Sequence, residues 1–293
     1  MGWGEFFALA SALTWALAVV LLRRSGETLP AFELNLFKNW FGLALLIPTI
    51  LIIDGIALPH YTPEELLLVL FSGLFGIAVA DTWYLTALNM MGASRTGIVS
   101  SLFSPFVIFL SAIFLGESLI PWQWLGFALV MAGVLLVTWR THRSSVDKTQ
   151  LQKGVVYAIG AVFMMAVGIV MVKEILETRS FLWTMGLRFV GGITGMMMLL
   201  LVRERWLSVK RNFGKPQPWG TIVMASFLGS YFALILWLSG YKMIDASVAS
   251  ILNSTNVVFI VLLAWLILGE SINRRKMAGM MLTVGGVIAM MLV

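Results

Sequence analysis

One stretch of this chain occurs twice. Residues 93–134 superimpose on residues 246–287 after a shift of 153 positions, with no gap. Ala93-Ser94 meets Ala246-Ser247, Ile98 meets Ile251, Ser101 meets Ser254 and Phe106 meets Phe259. The tetrapeptide Leu115-Gly116-Glu117-Ser118 returns unchanged as Leu268-Gly269-Glu270-Ser271. Beyond it, Gly126, Leu129 and Gly133-Val134 fall on Gly279, Leu282 and Gly286-Val287. A duplication of this length restricts the fold to two copies of one unit packed together.

The medium in which those units fold follows from the residues between the matches. Of 293 residues 60% are hydrophobic and only 12% charged, about half the charged share of a soluble domain. The apolar residues come in runs of about 20, long enough for a helix to cross a hydrocarbon core of about 30 Å. Ten such runs are legible, at 4–22, 32–53, 65–88, 93–115, 121–139, 154–172, 181–202, 219–241, 246–268 and 274–293. They are twice the length of a barrel strand and apolar all round, which excludes a transmembrane β-barrel. The expected fold is an all-α polytopic membrane protein. The N-terminus lacks the basic segment of a signal peptide, so the first run is expected to be retained as a helix.

The repeat extends upstream. Gly4, Ala8, Ala16 and Val20 fall on Gly154, Ala158, Ala166 and Val170 at an offset of 150, and Lys38 falls on Arg188. The unit is therefore five helices, residues 1–139 and 154–293, joined by a polar cytoplasmic linker at 140–153. Five is odd, so the second copy has to enter the membrane from the opposite side. With the N-terminus outside, the inner connections carry Arg23, Arg24, Arg95, Arg140, Arg143, Lys148, Lys153, Arg203, Arg205, Lys210, Arg211, Lys215, Arg274, Arg275 and Lys276. The outer ones carry Lys173, Arg179 and Lys242. Fifteen against three is a positive-inside bias that puts both termini outside. Pro121-Trp122-Gln123 occupies the positions of Arg274-Arg275-Lys276, so one hairpin carries aromatic anchors on one face and cations on the other. The net charge of +6 is thus a topology signal, and no nucleic-acid partner is expected.

Two inverted-topology repeats form a transporter architecture. The doubled Leu-Gly-Glu before the last helix of each half, the glycine pairs after it, and Lys38/Arg188 in the second helices resemble the drug/metabolite transporter superfamily, in its form with two EamA-type domains. That resemblance implies a secondary active transporter, working as an exporter of small organic metabolites such as amino acids or related amphipathic compounds, in the cell inner membrane. A passive facilitator, a sugar-phosphate type exchanger or a lipid flippase would share the same fold. Its partners would be the small-molecule substrate and the lipid bilayer, with protons as a candidate coupling ion, and it would be a monomer or a homodimer.

In an inverted repeat the substrate site is expected near the midplane, where equivalent positions approach one another. Ser100, Ser101 and Ser104 precede or adjoin Pro105, which cannot donate to the carbonyl of Ser101 and is expected to kink its helix. Asn253, Ser254 and Asn256 are the matching polar cluster in the second copy. Such side chains can line a cavity or bond neighbouring helices together. Trp15, Tyr84 and Trp237 lie inside spans and are candidates for the apolar wall of a pocket. Asp81, Lys38 and Arg188 are ionisable residues inside spans, where charge is costly and usually functional. A Lys38–Asp81 ion pair could act as a gate or clamp, or Asp81 could carry a coupling proton. Asp81 falls on Leu234, so any such pair is not duplicated. Glu117 and Glu270 follow helix-ending glycines and are expected to set the fold.

Catalysis is not expected. Cysteine is absent, and both histidines, His60 and His142, fall in loops, so a thiolate nucleophile or metal cage has no residues to build it. No cofactor or metal is implied, and no Walker-type Gly-rich loop points to ATP.

Overall fold

A computed structural model describes residues 2–138, 148–202, 206–268 and 274–291. Among these residues every regular element is helical. The helices are α1 (Trp3–Ser25), α2 (Ala31–Ile53), α3 (Pro63–Met91), α4 (Ala93–Ser100), α5 (Phe103–Phe114), α6 (Pro121–Thr138) and α7 (Lys148–Val170). They continue with α8 (Lys173–Thr178), α9 (Phe181–Val202), α10 (Trp206–Phe213), α11 (Trp219–Met243), α12 (Ala246–Asn253), α13 (Asn256–Leu268) and α14 (Arg274–Met291). Helix occupies each of the ten expected ranges. Among the described residues, seven segments are long and apolar enough to cross a membrane, counting Ala246–Ile267 as one. Lys148–Lys153, expected as linker, is already helical at the start of α7. The short helices α8 and α10 were not expected; Glu270, His142 and most of the linker lie outside the described residues.

Local chemistry sets the ends. Thr62 caps α3 by accepting from the Glu65 amide at 3.2 Å, and Glu65 returns the bond by accepting from the Thr62 amide at 2.8 Å, a reciprocal capping box. Gly92 ends the same helix at φ +84°, and Gly116 follows α5 at φ +66°, a region closed to most L-residues.

The duplication is visible in the backbone. Within α3, Leu74–Ala80 is wound as π-helix, and within α11 so is Phe227–Phe232, at the equivalent positions. The stretch expected as the fourth span of each half is broken in the same place: α4 stops at Ser100 and α5 begins at Phe103, while α12 stops at Asn253 and α13 begins at Asn256.

The two halves contact each other reciprocally. A Cβ on Gly4 would meet Ile244 and Met243, and one on the matching Gly154 would meet Met91 and Met90. Gly42 abuts Ser230, and its mate Gly192 abuts Ile77, the mate of Ser230. In the last helices Gly133 packs on Gly279 and Thr283, and Gly286 packs on Gly126 and Val130. As the number rises on one helix it falls on the other, so these mates run antiparallel. The core is shared in the same way. Leu46, Val69 and Ile77 from the first half pack with Ile169, Met185, Phe189 and Leu238 from the second. Large apolar side chains such as Ile52, Leu201, Val202 and Leu266 face outward, as they must against lipid rather than water.

Candidate functional site

Where the π-helical stretches and the broken helices meet, the bundle holds a partly open cavity of about 140 Å³. Both halves line it: Trp15, Lys38, Asp81, Tyr84, Ser100 and Phe103 from the first, and Arg188, Ser230, Leu234, Trp237, Asn253, Ser254 and Asn256 from the second, among others. Residues expected from the separate clusters are thus brought into one space. Ser101 and Ser104 are the exceptions: both are buried, but neither lines the cavity. Ser104 Oγ lies 3.1 Å from Ser250 Oγ, which ties the broken fourth span of one half to that of the other.

The polar wall is built from local bonds. Ser100 Oγ donates to the Thr96 carbonyl at 2.8 Å, and Ser254 Oγ to the Ser250 carbonyl at 3.0 Å. These bonds back onto the preceding turn and compete with the helix ladder at the break. Asn253 Nδ2 donates to Ser11 Oγ at 3.2 Å, joining α12 to α1, and Asn256 Nδ2 donates to Asn253 Oδ1 at 3.3 Å. The aromatic wall has Trp15 and Tyr84 with ring centroids 5.8 Å apart, and Phe103 and Trp237 at 6.4 Å.

The charged wall depends on the π stretch of α3. Winding Leu74–Ala80 as π-helix frees backbone carbonyls from the α pattern, and Asn35 Nδ2 donates to that of Ile77 at 2.8 Å and to Thr82 Oγ1 at 2.9 Å. Asn39 Nδ2 in turn donates to Asn35 Oδ1 at 2.8 Å, and Lys38 Nζ to Asn39 Oδ1 at 3.2 Å. This chain of amides holds the Lys38 ammonium against the Asp81 carboxylate, with which it forms a contact ion pair. Arg188 approaches from α9. A Cβ on Gly73 would fall 2.0 Å from the Arg188 carbonyl, so only a glycine lets the two backbones meet there. The guanidinium is buried over Gly76 instead of reaching outward along its helix, and Nη1 donates to the Gly168 carbonyl at 3.3 Å.

Ser11 and Ser230 are among the lining residues that the sequence did not point to. Ser11 stands four residues before Trp15, and that spacing alone would have placed it on the same helix face. Ser230 is one of three serines in its apolar span, with Ser226 and Ser239, its mate is Ile77, and nothing in the sequence distinguishes it. A larger peripheral cleft, about 690 Å³, lies between α3, α5, α7 and α8. Its charged residues, Glu64, Glu65 and Glu174, are all acidic, and none of the broken-helix polar clusters reaches it.

One group of polar ties between the halves lies at the end of the bundle opposite the buried bond in which Asn212 Nδ2 donates to Glu33 Oε1 at 2.8 Å. Arg179 grips Glu65 in a forked ion pair, Nη2 at 2.9 and 3.1 Å and Nε at 3.1 Å. Ser180 contacts Asp54, and Tyr61 Oη bonds the Ser180 carbonyl at 3.2 Å. Burial holds the Tyr61 phenol above its ordinary pKa, so it stays a neutral hydroxyl. Glu117 accepts from the amides of Ala246 and Ser247 at 2.9 Å each and from Ser247 Oγ at 2.7 Å. It therefore holds the start of a helix of the other half.

A multi-pass helical membrane protein with a central polar and aromatic cavity between its halves has an architecture that membrane transporters use. The EamA-like transporter family matches residues 2–139 and again residues 152–292, and the chain belongs to that family. It is similar to an uncharacterized transporter of Clostridium kluyveri, 24% identical over 133 residues, a match spanning 45% of this chain and 43% of that protein. The fold is similar to that of a protein of known crystal structure, with a TM-score of 0.75 at 18% identity over 99% of this chain and 96% of the other.

Proposed function

We propose that the chain is a secondary transporter that exports small organic metabolites, amino acids or related amphipathic compounds, by alternating access. In this reading ten helices cross the cell inner membrane as two inverted five-helix repeats, with both termini outside. The observation that carries it is the position of the cavity, where the broken fourth spans of both halves meet. Irregular backbone at membrane depth is tolerated where it lines such a space. The antiparallel, reciprocal contacts of repeat mates support the inverted arrangement, and the distribution of cations supports its orientation. The outward direction and the range of solutes rest on the family resemblance.

Ser100, Asn253, Ser254 and Asn256 would take the polar part of the solute, and Trp15, Tyr84 and Trp237 its apolar part. The Lys38–Asp81 pair would clamp the cytoplasmic half of the site. Ser101 and Ser104 would act through helix packing. Reconstituted vesicles offered a panel of amino acids and organic acids provide the test. For a transported solute, Asn253→Ala and Ser100→Ala should each lower the initial rate about fivefold or more, the equivalent of one hydrogen bond of about 1 kcal/mol, at unchanged protein content. Unchanged kinetics in both variants would remove the cavity as the substrate site.

A further inference from the structure

The charges in the cavity do not cancel. Its charged lining residues are Lys38, Arg188 and Asp81, two cations and one carboxylate. The two cations are repeat mates, but the mate of Asp81 is Leu234, which lines the cavity too. The one carboxylate is already in contact with Lys38. Arg188 forms no ion pair among the described residues, although it is buried in a span, and its hydrogen bond to the Gly168 carbonyl uses one of five donors. Asp81 acts on the guanidinium without touching it, so two buried cations share one carboxylate, among the costlier arrangements a membrane helix can carry. A second observation concerns the same lining. Ser230 lines the cavity, is 2% exposed, and its hydroxyl has no hydrogen-bond partner among the described residues. Helix dipoles do not supply the missing charge. Each broken span presents a C-terminus, at Ser100 and Asn253, beside an N-terminus, at Phe103 and Asn256, and the opposed ends offset one another.

We infer that the cavity is an anion site that takes a monocarboxylate with an aromatic or apolar body, its carboxylate held by Arg188 and the Ser230 hydroxyl. The planar fork of a guanidinium matches a carboxylate with two parallel bonds, and one negative charge brings the site to neutrality. A zwitterion would leave the excess positive charge in place, and a cation would add to it. Trp15, Tyr84, Phe103 and Trp237 form the wall for the apolar body. This inference rests on the transporter reading above and, among its small organic metabolites, selects organic anions over the zwitterionic amino acids.

Three probes share one aryl body and differ in charge: 3-phenylpropionate, phenylalanine and phenethylamine. Trp15 and Trp237 give a fluorescence readout of binding to the purified full-length chain. The monoanion should bind at least about tenfold more tightly than either of the others. Leu234→Asp gives Arg188 the carboxylate that the repeat lacks, and it should abolish that preference and bring phenylalanine level or ahead. Arg188→Lys keeps the charge and should keep the order of preference with weaker binding, whereas Arg188→Gln should lose it. No saturable binding of 3-phenylpropionate, a preference for phenylalanine or phenethylamine, or an unchanged preference in Leu234→Asp would each overturn the assignment. Vesicles that move phenylalanine or phenethylamine in preference to the monoanion would remove this inference and leave the transporter reading standing. Fluxes that no cavity substitution alters would remove the site itself.

Discussion

Asp81 is the one carboxylate among the cavity's lining residues, and it is shared between two cations that the duplication made equivalent. Its contact with Lys38 is nearly closed to solvent, with side-chain exposures of 4% for the lysine and 16% for the aspartate. Removing one partner of such a pair strands the other charge, at a cost of about 3–5 kcal/mol, whereas replacing both by uncharged side chains of similar volume is often neutral. Asp81→Asn should therefore lower the apparent melting temperature in detergent sharply, and Lys38→Met/Asp81→Leu should recover most of the loss. The double variant also separates clamp from coupling. As a clamp, the pair can be replaced without ending the response of transport to a proton gradient. Loss of that response in a double variant of restored stability would assign the coupling proton to Asp81. The pair was legible in the sequence because two ionisable residues stood inside apolar runs in the same half of the bilayer. The approach of Arg188 was not, because it depends on the bare backbone at Gly73, and glycines recur throughout a chain that has 27 of them.

At the scale of elements, helices are held together by surfaces too close for a side chain. A Cβ on Gly133 would lie 2.4 Å from Thr283 Oγ1 and 2.5 Å from the Gly279 carbonyl, so the backbones of α6 and α14 would have to part. Gly285, one residue from the packed Gly286, has nothing within 4 Å of the same position. Gly133→Ala should therefore destabilise the protein by about 1–3 kcal/mol, the usual cost of overpacking, read as a lower melting temperature and yield. Gly285→Ala should change neither, and equal losses in the two would remove close packing as the reason for the glycine pattern. The broken fourth spans show where the sequence misled. Pro105 announces a kink in the first copy, but Val258 stands at its place in the second and the break is there as well. Its backbone tightens from Ser254 to Val258, with Val257 and Val258 bonding three residues back, while Ser254 and Thr255 hydroxyls occupy carbonyls of the preceding turn. Clustered short polar side chains thus accompany the break with or without proline. The π-helical stretches left no sequence signal; only their equivalence under the repeat marks them as features of the unit.

At the scale of the whole molecule, the two halves are not separate bodies, because they share one core and polar ties run between them. Glu117 holds the start of α12, and Arg179 and Ser180 hold Glu65 and Asp54. With the N-terminus outside, all of these ties fall on the outer face. That assignment follows from the sequence through loop charge, since a helical bundle by itself does not reveal which end meets the cytoplasm. The decisive residues are repeat mates that the inverted arrangement sends to opposite sides of the membrane. Pro121 and Arg274 begin the last helix of their respective halves and are both exposed. The chain has no cysteine, so a single one placed at either position reports alone. In intact cells a membrane-impermeant maleimide should label Pro121→Cys directly and Arg274→Cys only after the membrane is opened. Labelling of both from the outside, or of neither, would show that the halves enter the membrane in the same sense. The reverse pattern would keep the inversion but turn the protein over, placing the tied end of the bundle in the cytoplasm.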